Sequence, residues 1–212
     1  KDQKLNILIN GPISKKHFLK KKFPGITEYI SEKTNSSNPV MLIYNDKIAV
    51  TPLTTHIPIK NVAKFVKKKN IINNIKKINK FFKKNFEKKP KFAVLGLNPH
   101  CETINKISEE KIEIMPAIEY LNKKKIDVAG PFSADTFFLK KNIKKYDVVL
   151  GMYHDQVLTP IKTLFEYNAI NITMGLPFLR VSPDHGPNEK MIGKNKSTPV
   201  SLINALNFLD QK

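Results

Sequence analysis

The chain lacks several things that would place it in common classes. Its 212 residues include one cysteine, Cys101, so no disulfide can form within it and no cysteine cluster can hold zinc. That suits a reducing compartment, and the cytoplasm is the expected location. No apolar run approaches the roughly 20 residues that span a bilayer, and the opening KDQKLNILIN lacks the apolar core and small-residue cleavage site of a signal peptide. No membrane partner is expected. No G-x-G-x-x-G follows an apolar run, and neither G-x-x-x-x-G-K-[ST] nor G-x-S-x-G occurs, so the commonest dinucleotide, nucleotide and serine-hydrolase motifs give no support. Arginine is nearly missing as well. Of 37 basic residues only Arg180 is an arginine, and the formal net charge is +19. Such a charge ordinarily suggests nucleic acid, but nucleic-acid sites lean on arginine forks, whereas lysine here fills solvated faces. Nucleic acid is therefore not the expected partner. A single arginine kept amid so much lysine points to a need for a planar, bidentate guanidinium.

With 41% hydrophobic residues the chain can bury a substantial core. LNILIN (5–10) reads as a buried strand running into GPISKK, a turn and helix start, and a domain seldom begins on a central strand. With no initiator methionine, an N-terminal segment is expected to precede this chain. PGITEYISEK reads as a short helix. VMLIY (40–44) and KIAVTPL (47–53), separated by Asn45 and Asp46, read as a hairpin-like or closely paired couple. Ile71, Ile75, Ile78, Phe82 and Phe86 recur at helical spacing among lysines over 68–89. KFAVLGL (91–97) reads as a parallel-type strand, and 108–124 as a helix whose SEEKIE start resembles a capping stretch. VAGPF, DVVLGMYH and AINITMGLPF are further apolar runs, and SLINALNFL (201–209) is a closing helix. Strands alternating with helices imply an α/β layered fold with a mainly parallel sheet.

In such sheets ligands bind beyond the carboxyl ends of the strands. The polar clusters fall there: NGPISK, TTHIP, LNPHCE, AGPFSADT and YHDQ. His56, His100, His154 and His185 all follow apolar runs at turn-rich positions, whereas His17 lies in a lysine-rich surface stretch. His56 and His154 are candidate metal ligands, because neutral imidazole suits Zn²⁺ and related ions. Asp155 and Asp135 are candidates for acid/base work or for orienting ligands, with helix capping as the bland alternative. Lys162, Asn171 and Arg180 together suit a phosphate or carboxylate cradle.

The ordered set GPISK, PGITE, TTHIP, GLNPH, GPFSADT, MYHDQVLTPIK, NITMGLPFLRVSPDHG and IGK resembles the 4-hydroxythreonine-4-phosphate dehydrogenase family, PdxA, across nearly the whole chain. The resemblance implies an isopropylmalate dehydrogenase-like fold of two α/β/α domains. This chain would hold most of the second domain, with its C-terminal part returning to the first. It further implies a homodimer with a shared active site and metal- and NAD- or NADP-dependent oxidation of a small phosphorylated hydroxy amino acid, with Zn, Mg, Mn or Co as the ion. The β-keto acid product then loses CO₂, within pyridoxal phosphate synthesis. On matching positions His56 and His154 become metal ligands, and Lys162, Asn171 and Arg180 become substrate-phosphate contacts. His185, Gly186 and Asn188, in a loop similar to that of isopropylmalate dehydrogenase, become cofactor contacts.

Three departures stand out. The resemblance puts a third metal histidine in a GHTE motif, where this chain has PGITE with Ile26, leaving Glu28 or another group to complete the shell. LNPHCETINKISEE lacks the glycines that usually follow NPH, and DHGPN replaces the commoner DHGTA. Two alternatives stay open: a paralogue oxidising another hydroxy acid or a cis-diol, and a basic nucleic-acid-binding protein on an inactive enzyme fold.

Overall fold

The computed structural model describes residues 6–14, 18, 19, 22, 23, 25–101, 104, 107–187 and 189–210. The strands are β1 (Ile7–Ile9), β2 (Val40–Tyr44), β3 (Ala49–Thr54), β4 (Phe92–Leu95), β5 (Val128–Phe132), β6 (Val148–Tyr153), β7 (Ile170–Met174) and β8 (Leu179–Pro183). The helices are α1 (Ile26–Lys33), α2 (Val62–Phe65), α3 (Lys68–Phe86), α4 (Met115–Lys123), α5 (Ala134–Phe137), α6 (Lys140–Ile143), α7 (His154–Phe165) and α8 (Val200–Asp210). Two compact units result, one of Lys1–Asn45 with Phe165–Lys212 and one of Asp46–Leu164. Among the described residues no helix is long and apolar enough to cross a membrane.

The unit Asp46–Leu164 is α/β with parallel pairing throughout: β3 with β6, β6 with β4, and β4 with β5. Its strands are apolar on both faces, as a sheet covered by helices requires, and Val50, Phe92, Val94, Leu95, Val149 and Leu150 are fully buried. The helical spacing read from the sequence is realised in α3, which buries Ile71, Ile75, Ile78, Phe81 and Phe82 and leaves its lysines in water. Each such isoleucine contributes about 1.5–3 kcal/mol on burial. The helix expected over 108–124 is interrupted: Glu110–Ile114 form a π-helical turn before α4 begins. Its SEEKIE start is no capping box. The Glu110 carboxylate, fully buried, instead accepts hydrogen bonds at 2.8 Å from the backbone N–H groups of Leu97 and Asn98, and from the Asn98 amide at 2.9 Å.

In the other unit β1 runs parallel to β8, while β7 is antiparallel to both β8 and β2. Two sequence expectations change. β1 is not a buried central strand, since it pairs only with β8 among the described residues and leaves Ile7 41% exposed. AINITMGLPF is not one run: it ends at Met174, turns through 175–178 and returns as β8, a strand the sequence hid because Arg180 and Ser182 break its apolar pattern. Register explains that pattern. Thr173 lies opposite Arg180 and Asn171 opposite Ser182, so one face of the β7–β8 ladder is polar while Ile172 and Val181 face the core. Ser201 of α8 fixes the ladder's far end, donating to Ala169 O and accepting from Asp184 N. The helix start expected after GPIS falls mostly outside the described residues.

Burial pushes the Glu110 carboxyl up, but hydrogen bonds from Asn98, from Leu97 and within its own turn outweigh that and hold it below the usual 4.5. A depressed carboxyl adds stability above its unfolded pKa and loses it as pH falls through the folded value. Glu110→Gln is expected to cost about 1.5–3 kcal/mol at pH 7. That gap from wild type should shrink toward pH 3, as followed by urea unfolding; an equal gap at both pH values contradicts the assignment.

Candidate active site

Because β3, β4, β5 and β6 are parallel, their carboxyl ends leave one edge of the Asp46–Leu164 unit, in the spatial order β3, β6, β4, β5. His56 follows β3, His154 follows β6, His100 follows β4, and Ser133 and Asp135 follow β5. Strand order therefore sets three histidines beyond three adjacent tips. The His56 and His154 rings lie 6.1 Å apart between centroids, inclined at 38°. An imidazole bound to zinc at about 2.0–2.1 Å has its centre roughly 3 Å from the ion, so two rings sharing one ion lie within roughly 6.5 Å of each other. The pair meets that condition. His154 opens α7, and its Nδ1 lies 2.7 Å from Asp155 Oδ1, which leaves Nε2 with the lone pair that a metal needs. Asp155, given a capping alternative by the sequence, spends its carboxylate on the imidazole.

The turn carrying His100 is tight. His100 and Cys101 have φ of 55° and 57°, and a Cβ on Gly96 would stand 2.7 Å from Cys101 Sγ. Burial, the largest influence, pushes the Cys101 thiol up, so it serves as packing beneath the loop. His100 Nδ1 is 3.9 Å from Asp135 Oδ2, and Ser133 Oγ donates to Asp135 Oδ1 at 2.5 Å. The Ser133 hydrogen bond, helped by the field of His100, holds the Asp135 carboxyl below its usual value despite slight desolvation. Among the described residues no three His, Cys, Asp or Glu side chains converge as they stand. The His56 and His154 imidazoles lie side by side, and His100 follows the neighbouring tip of β4.

Sequence reading passed over two side chains that tie these tips together. Gln156 accepts from Met152 N–H at 2.7 Å and donates to Gly96 O at 2.8 Å, bridging the ends of β6 and β4. Thr54 Oγ1 donates to Met152 O at 2.7 Å, fastening β3 to β6. The available signal was position alone, since both residues stand inside the quoted TTHIP and YHDQ motifs.

In the other unit Arg180 is 1% exposed. Its Nε donates to Asn10 Oδ1 at 2.7 Å, and its Nη1 to Thr27 Oγ1 at 3.0 Å and Thr173 Oγ1 at 2.9 Å. All three acceptors are neutral. Burial pulls the guanidinium down to about 10, and the charge of Glu28 opposes the shift. Ile26 and Glu28 thus flank Thr27 in α1, a turn whose contacts run to Arg180, and Glu28 is drawn into that residue's field. Asn171 shares the polar face of β7–β8, and its Oδ1 is buried with no hydrogen-bond partner among the described residues. A buried acceptor of this kind is open to a donor that the described residues do not supply. Lys162, the third member of the inferred cradle, is half-buried on α7 in the second unit. His185 packs edge-on to Tyr167 at 6.0 Å with Nδ1 3.2 Å from Gly186 O; Gly186 is exposed, and Asn188 lies outside the described residues.

Comparison with known proteins places this geometry in a family. The profile of the family described as "Pyridoxal phosphate biosynthetic protein PdxA" matches residues 1–209. A 4-hydroxythreonine-4-phosphate dehydrogenase of Sulfurihydrogenibium sp. (strain YO3AOP1) is 41% identical over 209 residues, covering 97% of this chain and 64% of that protein. A D-threonate 4-phosphate dehydrogenase of Pectobacterium atrosepticum is 34% identical over 201 residues, covering 93% of this chain and 62% of its own length. The crystal structure of a putative 4-hydroxythreonine-4-phosphate dehydrogenase from Salmonella typhimurium superposes with a TM-score of 0.79 at 33% identity, over 97% of this chain and 64% of that one. The chain thus spans a little under two thirds of the relatives' length. A match along almost its entire sequence, on a superposable α/β fold, makes it a member of the PdxA family.

Proposed function

We propose that the protein is a metal- and NAD- or NADP-dependent dehydrogenase. It oxidises the secondary alcohol of 4-phosphohydroxy-L-threonine to a β-keto acid, which loses CO₂ to give 3-amino-2-oxopropyl phosphate. The His56–His154 pair, with Asp155 orienting one imidazole at a parallel strand edge, is the observation that carries this reading. His56 and His154 hold a divalent ion, with His100 from the adjacent tip as third donor in preference to any group near Ile26. The ion supplies a Lewis acid for the substrate hydroxyl, and the nicotinamide supplies the hydride acceptor. Asp155 fixes the tautomer of His154, while Asp135, on the neighbouring strand tip, accepts the hydroxyl proton. Arg180, Asn171 and Lys162 bind the phosphate and orient the reacting carbon. His185, Gly186 and Asn188 line the cofactor loop. A homodimer with a shared site, in the cytoplasm, completes the proposal.

A second substrate is favoured by one observation. The Pectobacterium relative carries the name of a dehydrogenase for D-threonate 4-phosphate, which shares the phosphate but differs at the carbon next to the carboxylate. The same cradle serves both substrates.

NADH formation by the intact protein should require a divalent ion, stop with a chelator, and be fastest with 4-phosphohydroxythreonine; no turnover with any of Zn²⁺, Mg²⁺, Mn²⁺ or Co²⁺ rejects the assignment, and faster turnover of threonate 4-phosphate selects the second substrate. Arg180→Lys replaces a fork with a point charge and should raise KM at least about tenfold, with a smaller change in kcat. An unchanged KM removes Arg180 from phosphate binding.

A further inference from the structure

The backbone of Met152 is where the strand tips are joined. Its N–H donates to Gln156 Oε1 and its C=O accepts from Thr54 Oγ1. Gln156 continues across the sheet to Gly96 O, while Gly96 N–H donates to Phe132 O at the end of β5. One side-chain amide thus connects the strand before His154 to the loop that bears His100. Its position depends on a close approach, since a Cβ on Gly151 would meet Val157 Cγ1 at 2.5 Å and Gln156 Oε1 at 3.0 Å. With glycine there, the first turn of α7 lies directly on β6 and the amide reaches both backbone groups. Both hydrogen bonds are oriented, one requiring an acceptor and the other a donor, and among side chains of this length only an amide provides both.

We propose that Gln156 is a positioning residue for the ion-binding edge: by holding the β6 and β4 tips in one register it sets the spacing between His154 and His100. It touches no reactant and acts through those two imidazoles, and this rests on the metal-binding reading given above. Gln156→Glu retains the acceptor for Met152 N–H and sets a carboxylate oxygen against Gly96 O. Gln156→Met retains the volume and loses both bonds.

The test compares the intact wild-type protein with both variants by Co²⁺ titration calorimetry, by the visible d–d absorption of bound Co²⁺, and by Tm, with His154→Ala as control. Both variants should bind Co²⁺ about 10- to 100-fold more weakly, as is typical for groups that orient metal ligands, with an altered d–d spectrum. Wild-type affinity and spectrum in either folded variant overturns the role, whatever happens to Tm, because lower stability alone leaves the coordination of the folded fraction unchanged. Should the wild type bind no Co²⁺, or His154→Ala bind it equally well, the metal reading itself fails and takes this inference with it.

Discussion

The joint at Met152 is the constraint on which the candidate metal edge depends. Parallel strands fix only the direction in which their tips point. The distances between tips are fixed by cross-links beyond the ladder, and here those are a hydroxyl from Thr54 on the C=O of Met152 and an amide from Gln156 on its N–H. The loop after β4 is pinned from below as well, by the buried Glu110 carboxylate on the N–H groups of Leu97 and Asn98. Each bond is of ordinary strength, about 0.5–1.5 kcal/mol net, or more where the charge of Glu110 takes part. Their effect lies in geometry: histidines on turns that would otherwise move independently are carried by one braced edge.

The unit holding Arg180 solves a different problem. Burying a guanidinium costs several kcal/mol unless its donors are satisfied, and it remains costly without a compensating charge. Asn10, Thr27 and Thr173 take the Nε and Nη1 donors with neutral oxygens, leaving the positive charge opposed by the field of Glu28. That buried charge is the feature behind the proposed anion-binding role of Arg180. On the same sheet face the buried Oδ1 of Asn171 stands without a partner among the described residues, an acceptor open to a donor.

Much of this was legible in the residues. Apolar runs broken by polar turns announced a parallel α/β sheet, and α3 was visible from its isoleucine spacing. The lone arginine marked its own importance. What stayed hidden has physical causes. β8 was invisible because Arg180 and Ser182, on the polar face of the ladder, break the apolar pattern of a buried strand. SEEKIE resembled a capping stretch, and sequence spacing cannot reveal that the N–H groups of Leu97 and Asn98 after β4 draw in the Glu110 carboxylate. The different partners of Asp135 and Asp155, Ser133 and His154, could not be read from sequence. The weight of His100 emerged only from strand order, which places β4 beside β6.

The central claim is that this strand edge gathers a divalent ion between the imidazoles of His56 and His154. Anomalous diffraction at the zinc or cobalt edge, from crystals of the intact protein grown with the ion, addresses it directly. The account predicts a peak within coordinating distance of Nε2 of both histidines, absent in His154→Ala. A peak elsewhere, or one that survives that substitution, contradicts it.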